Sequence, residues 1–169
     1  TALGLHALQH RGQEAVGITS FDGEEFYSRR GIGHVAANFS SAEALGELPG
    51  IMAAGHVRYS TTGGSGLRNV QPLFADLARG GFSIAHNGNI SNASTLKREL
   101  VNKGSIFQST SDTEVIVHLI ATSRYPTLLD RFVGEKVGED ETNPTQAQAL
   151  PCSTCPENHN RRPFLGLWR

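Results

Sequence analysis

Four short segments of this chain hold residue types that do chemistry. They are Gln9-His10-Arg11-Gly12-Gln13, Gly55-His56-Val57-Arg58-Tyr59-Ser60-Thr61, His86-Asn87-Gly88-Asn89 and Ser111-Asp112-Thr113-Glu114. Taken singly, each has a plain reading. Arg58 after a strand reads as a solvated charge. Asn87-Gly88 reads as a tight turn before it reads as an oxyanion hole. Asp112 in a capping box complements the helix dipole. The Gly63-Gly64-Ser65-Gly66 loop lacks the Gly-Lys-Ser/Thr that a phosphate-cradling P-loop needs. His6 and His10 are four apart but have no nearby carboxylate, which argues against zinc. Cys152 and Cys155 form a lone C-x-x-C whose one further ligand is His159, a weak metal or redox signal.

The elements that must position these segments follow from periodicity. Residues 2–14 read as one helix, with Leu5 and Leu8 on one face and Gly12 as its end. Ala15 to Phe21 alternates as a half-buried strand does. Asp22-Gly23 then signals a two-residue hairpin to a strand carrying Phe26 and Tyr27. Residues 40–47 form a short helix capped by Ser40 or Ser41, and Leu48-Pro49-Gly50 turns into a strand over 51–59. Phe82 to His86 is another strand. Asn92 caps a helix with Leu96 and Leu100 inward, stopped at Gly104. The box at 111–114 opens a helix with Val115, Ile116, Leu119 and Ile120 as its apolar face, and Thr127 to Val133 starts one more. Helices and strands mix without strict βαβ alternation, so the fold class is α+β or a layered sandwich.

Composition narrows the functional classes. The chain has 169 residues, enough for one domain or one domain plus a tail. Lys plus Arg number 15 and Asp plus Glu 16, for a net charge of −1. That balance argues against a nucleic-acid binder or a polybasic membrane-surface protein. No apolar run reaches the roughly 18 residues of a membrane span, and no signal peptide is legible, so the expected location is the cytoplasm. Glycine is abundant at 19 residues, as in chains with many tight turns and close backbone approaches. Beyond Val133 the periodicity stops, and both cysteines, the only tryptophan and four of seven prolines gather there. No strand or amphipathic helix is expected in that stretch.

In order and spacing the four segments resemble the glutaminase domain of the class II, N-terminal-nucleophile glutamine amidotransferases. Leu8-Gln9-His10-Arg11-Gly12-Gln13, Gly55 to Gly63, Ala85 to Ile90 and Thr110 to Glu114 carry the likeness, from about Ala2 to Val133. Tyr59 and Asn89 favour the phosphoribosylpyrophosphate-dependent branch of purine synthesis over the hexosamine-phosphate synthases. The resemblance implies a four-layer αββα sandwich and hydrolysis of the glutamine side-chain amide, with ammonia passed to a second site to make phosphoribosylamine. It implies Arg58 as the clamp on the substrate α-carboxylate, since a guanidinium fork pairs bidentately. Asp112 would hold the α-ammonium. Asn87 and the Gly88 N–H would stabilise the oxyanion. Arg11 and Gly12 would line the nucleophile, and Tyr59, Thr61 and His86 would complete the pocket.

Against that pattern the chain departs at both ends. The family's nucleophile is an N-terminal Cys whose own amine is the base. Here the chain starts at Thr1, inside the first helix, and the first cysteine is Cys152. Thr1 is no substitute, at about 15 Å along a helix from Arg11. Residues 1–133 therefore read as a partial domain lacking its first strand, with exposed sheet edges and marginal stability. Residues 134–169 read as an irregular tail from a shifted reading frame, with a divergent tail as the alternative. The expected polypeptide binds glutamine but is catalytically dead; the alternative is a non-catalytic glutamine-binding module or subunit. No metal or cofactor is expected in it. Phosphoribosylpyrophosphate, magnesium and the iron–sulfur cluster of some members would belong to sequence outside it. The family implies a homo-oligomer.

Overall fold

The computed structural model describes residues 1–59, 66–78, 80–134, 147–148 and 164–167. In chain order, helix α1 (Ala2–Ala7) leads through a 3-10 turn (Gln9–Arg11) to strands β1 (Ala15–Phe21) and β2 (Phe26–Ile32). Helices α2 (Val35–Phe39) and α3 (Ala42–Gly46) precede β3 (Met52–Arg58). After a second 3-10 turn (Leu67–Asn69) come β4 (Leu73–Ala75), β5 (Phe82–His86) and the helices α4 (Ala93–Asn102), α5 (Thr113–Thr122) and α6 (Leu128–Gly134). Two short strands follow, β6 (Ala147–Gln148) and β7 (Phe164–Leu167).

These elements make four layers. One sheet, ordered β2-β1-β3, is antiparallel throughout; the other is ordered β4-β5-β7-β6. Leu5, Val16, Ile18, Val35 and Phe39 form the core between the first sheet and α1–α2. Phe82, Ile84, Ile90, Ile116 and Ile120 form the core between the second sheet and α4–α5, with Leu128 and Phe132 packed against it. The fold class is the α+β, αββα sandwich.

Several elements differ from the periodicity. All seven residues of β1 are buried. The strand is central in its sheet, with helices on one face and the second sheet on the other, so it is not half-buried. The first helix ends at Ala7 and not near Glu14, because Gln9 intervenes. Its side-chain oxygen accepts from the Val35 N–H at 2.6 Å and its amide donates to the Gly12 carbonyl. Glu14 N–H then bonds to the Arg58 carbonyl at 3.3 Å, which pulls residues 12–14 straight beside β3.

The hairpin also differs. Phe21 pairs with Phe26, so four residues and not two form the turn. The Asp22 carboxylate accepts from the Glu24 and Glu25 N–H groups at 2.8 Å and from the Tyr27 hydroxyl at 2.9 Å. A side-chain acceptor thus does what a tight backbone turn would have done. Of the two proposed serine caps, Ser41 is the one used, accepting from the Ala44 N–H at 3.1 Å. Helix α2 and strand β4 are too short to leave a periodic signal.

The expectation of no strand after Val133 is corrected by β6 and β7. Phe164–Leu167 pairs in parallel with Ser83–His86 of β5. A four-residue segment with three apolar members can take an inner place in a sheet, here between β5 and β6, without any periodicity visible in the sequence.

Candidate functional site

The site is assembled at one end of each sheet, from strand ends and a helix start. Alternation puts Val57 and Gly55 with Val16 and Ile18 on the helix side of the first sheet, since Val57 packs into that core. Arg58 and His56 therefore point to the opposite side, toward the second sheet. Arg58 is 8% exposed, unlike the solvated charge of its plain reading. Gly12 explains how the first segment reaches it. A Cβ at Gly12 would stand 2.6–2.8 Å from the Arg58 backbone, so only glycine permits this approach.

His86 ends β5 and Asp112 precedes α5. The Nδ1 of His86 lies 3.9 Å from Oδ1 of Asp112. The other Asp112 oxygen accepts the Ile90 N–H at 2.9 Å, across 22 residues, and makes no cap bond to its own helix. Its first role is thus to fix the turn after Asn87-Gly88-Asn89 and not to complement a dipole. Gly88 folds over the His86 ring, where a Cβ would be 2.7 Å from Nε2.

Burial, His86 and Arg58 together push the His56 imidazole down to about 4. Burial lowers His86 as well, opposed by Asp112. Both rings are therefore neutral near pH 7. His56 is thus within electrostatic reach of Arg58 and His86, and His86 of Asp112.

The capping box is also modified. Ser111 Oγ accepts from the Thr113 N–H at 3.2 Å. Glu114 reaches further back than the box requires, to the Gln108 N–H at 2.8 Å, the Ser109 N–H at 2.7 Å and the Ser109 hydroxyl at 2.6 Å. This buried carboxylate ties down the loop that delivers Asp112.

The structure brings together Gly12, Arg58, His86, Gly88 and Asp112. Asn87, Gly88 and Arg11 are exposed, and Tyr59 is 70% exposed. Thr61 and the loop through Ser65 lie outside the described residues, as do Cys152, Cys155 and His159. Thr1 stands on the helix side of the first sheet, its methyl against Gly55, on the face opposite Arg58. A cavity of about 310 Å³ lined by Thr1, Ile18, Leu45 and Met52 is at the far end of β3 from Arg58. Among the described residues no group of three His, Cys, Asp or Glu side chains is placed to hold a metal ion, and no helix is long and apolar enough to cross a membrane. Motif spacing marks the segment that holds His56 but assigns that ring no role, and it does not point to the buried amides of Asn69 and Gln71. Two amides flanking Val70 just before Pro72-Leu73 were the available signal, since polar side chains in an apolar run need internal partners.

Comparison with known proteins agrees with this architecture. Residues 56–136 match the glutamine amidotransferase domain family. The amidophosphoribosyltransferase of Rhizobium etli is 59% identical over 133 residues, 79% of this chain and 27% of that protein. That of Bacillus subtilis is 51% identical over 133 residues, 78% of this chain and 28% of that protein. The solved structure of glutamine phosphoribosylpyrophosphate amidotransferase from B. subtilis, complexed with ADP and GMP, matches with a TM-score of 0.72. It is 47% identical and covers 79% of this chain and 29% of its own.

The fold, and the family match over residues 56–136, are those of a glutamine amidotransferase domain. Its relatives at this level of identity are amidophosphoribosyltransferases, and the chain spans just over a quarter of the length of these two.

Proposed function

We propose that this chain is the glutaminase portion of an amidophosphoribosyltransferase. The whole enzyme would hydrolyse the glutamine amide and deliver ammonia to phosphoribosylpyrophosphate, forming phosphoribosylamine at the start of purine synthesis. The observation that carries the reading is the buried Arg58 at the end of β3, facing the sheet whose strand end and following helix bring His86 and Asp112 together. The site thus offers one cation and one carboxylate beside buried imidazoles that are neutral near pH 7. Such a site complements a zwitterionic amino acid, with the carboxylate on Arg58 and the ammonium on Asp112.

The amide end of the substrate would meet Asn87 and the Gly88 N–H, donors aimed at the oxyanion that forms when the amide carbon is attacked. Arg11 and Gly12 would border the attacking group, Gly12 by its contact with the Arg58 backbone. Tyr59, Thr61 and His86 would shape the pocket wall. The attacking thiolate is not supplied by residues 1–151, which contain no cysteine. On this reading residues 1–151 hold the glutamine and do not themselves supply the nucleophile. Residues 1–133 would supply both cores and the site of this domain, with β6 and β7 joining its second sheet.

Calorimetry with glutamine, paired with an ammonia assay, tests this. Glutamine binding that Arg58→Ala abolishes, without ammonia release, is the expected result. No binding at millimolar glutamine overturns the pocket. Ammonia release by the pure chain overturns the assignment of the nucleophile to other sequence.

A further inference from the structure

Asn69 and Gln71 are amides almost wholly removed from water, at 1% and 7% exposure. Groups so buried must find partners, and the choice of partner is informative. Asn69 Nδ2 donates to Thr110 Oγ1 at 2.9 Å, while Asn69 Oδ1 accepts from the Thr110 N–H at 2.9 Å. Gln71 Oε1 accepts from the His86 N–H at 2.6 Å. The segment between them is itself anchored to the first sheet. Arg30 of β2 donates to the Val70 carbonyl at 3.2 Å. The Gln71 carbonyl sits so close over Gly17 of β1 that a Cβ there has no room.

Three consecutive residues are thus held by one sheet and reach to two separate segments of the other half. Thr110 is two residues before Asp112. His86 immediately precedes Asn87-Gly88, and its ring underlies Gly88. Each amide controls one end of the pocket.

We propose that Asn69 and Gln71 are positioning residues for substrate recognition. Asn69 sets the Asp112 carboxylate for the α-ammonium. Gln71 sets the Asn87-Gly88 turn for the side-chain amide. This rests on the glutamine reading above. It adds a division of labour: damage to one amide spoils the reading of one end of the substrate.

Three ligands separate the ends, measured by calorimetry on the full chain: glutamine, norvaline (no amide) and 4-carbamoylbutanoate (no α-amine). Gln71→Leu should lower the preference for glutamine over norvaline about fivefold, the scale of one lost hydrogen bond, with its preference over 4-carbamoylbutanoate intact. Asn69→Leu should do the reverse. Gln71→Glu and Asn69→Asp keep an acceptor for the same N–H. In the second of these the Thr110 hydroxyl can turn to donate to the new carboxylate. Both should recover the parent preferences. If the leucine variants fail to fold, the alanine variants, whose cavities admit water, carry the same comparison.

Equal weakening of all three ligands overturns the proposal, as does failure of the conservative variants to rescue. Loss of folding in the leucine and alanine variants alike also overturns it, by assigning the amides to the fold. Absence of glutamine binding in the parent chain overturns the glutamine reading and this inference together, and so is distinguishable from the rest.

Discussion

Oδ1 of Asp112 stands 3.9 Å from Nδ1 of His86, beyond hydrogen-bond distance. The other carboxylate oxygen accepts the Ile90 N–H. Burial therefore outweighs the attraction of Asp112, and the His86 ring is held below its ordinary range. At His56 there is no such opposition: burial, His86 and Arg58 all push the ring downward.

Acid should destabilise the fold through this pair. His56 falls from 6.5 to about 4 on folding. Between those values the unfolded chain binds a proton that the folded chain rejects. Stability is therefore level above pH 6.5 and is lost as pH falls toward 4, by up to about 3 kcal/mol from His56. His86 adds loss of the same sign. Urea unfolding at pH 7.5 and 4.5 measures the difference, and His56→Gln should shrink it. An unchanged difference in that variant would assign the slope to other groups.

Arg58→Lys keeps the charge but not the fork. Glutamine affinity should fall about tenfold, the scale of a lost charged hydrogen bond. Titration calorimetry reads the change directly. Equal affinity would mean that Arg58 supplies charge alone.

Gly12→Ala places a methyl 2.6–2.8 Å from backbone atoms of Arg58. Neither side can yield cheaply, so the cost should be about 1–3 kcal/mol. Gly4→Ala is the contrasting case: nothing lies within 4 Å of the added carbon, in the middle of α1. It should stabilise by about 0.5–1 kcal/mol through helix propensity. Paired thermal melts decide both.

Glu114→Gln should cost about 1–3 kcal/mol, because one of three donors to the carboxylate then faces an NH₂ group. Hydrogen exchange at the Gln108 and Ser109 amides should accelerate in the same variant. Protection equal to the parent would show that the loop is held by other contacts.

Much of this fold is legible in the sequence. Strand β5 and helices α4 and α5 followed from spacing, because long apolar stripes persist over several turns. The four chemistry-bearing segments were legible as types in order. What periodicity missed is the work of single side chains. Gln9 cuts the first helix short, Asp22 widens the hairpin, and Glu114 bypasses its own box. A local capping rule sees residues three or four apart, whereas Asn69 acts on Thr110 across 41. Strand β7 was invisible for a different reason: its partner in β5 lies about 80 residues upstream, and the four residues alone are no pattern.

The seven-residue ladder between β1 and β3 runs from Phe21↔Met52 to Ala15↔Arg58. Its phase behaves like a reading frame in space. Deleting one residue inside β3 would leave the composition almost untouched, yet would exchange Arg58 and His56 for Val57 on the face that meets the second sheet. Variation in length should therefore collect in the turns, such as Asp22–Glu25, where the frame is neutral to it. Within β3 only changes of two residues keep the arginine on its side.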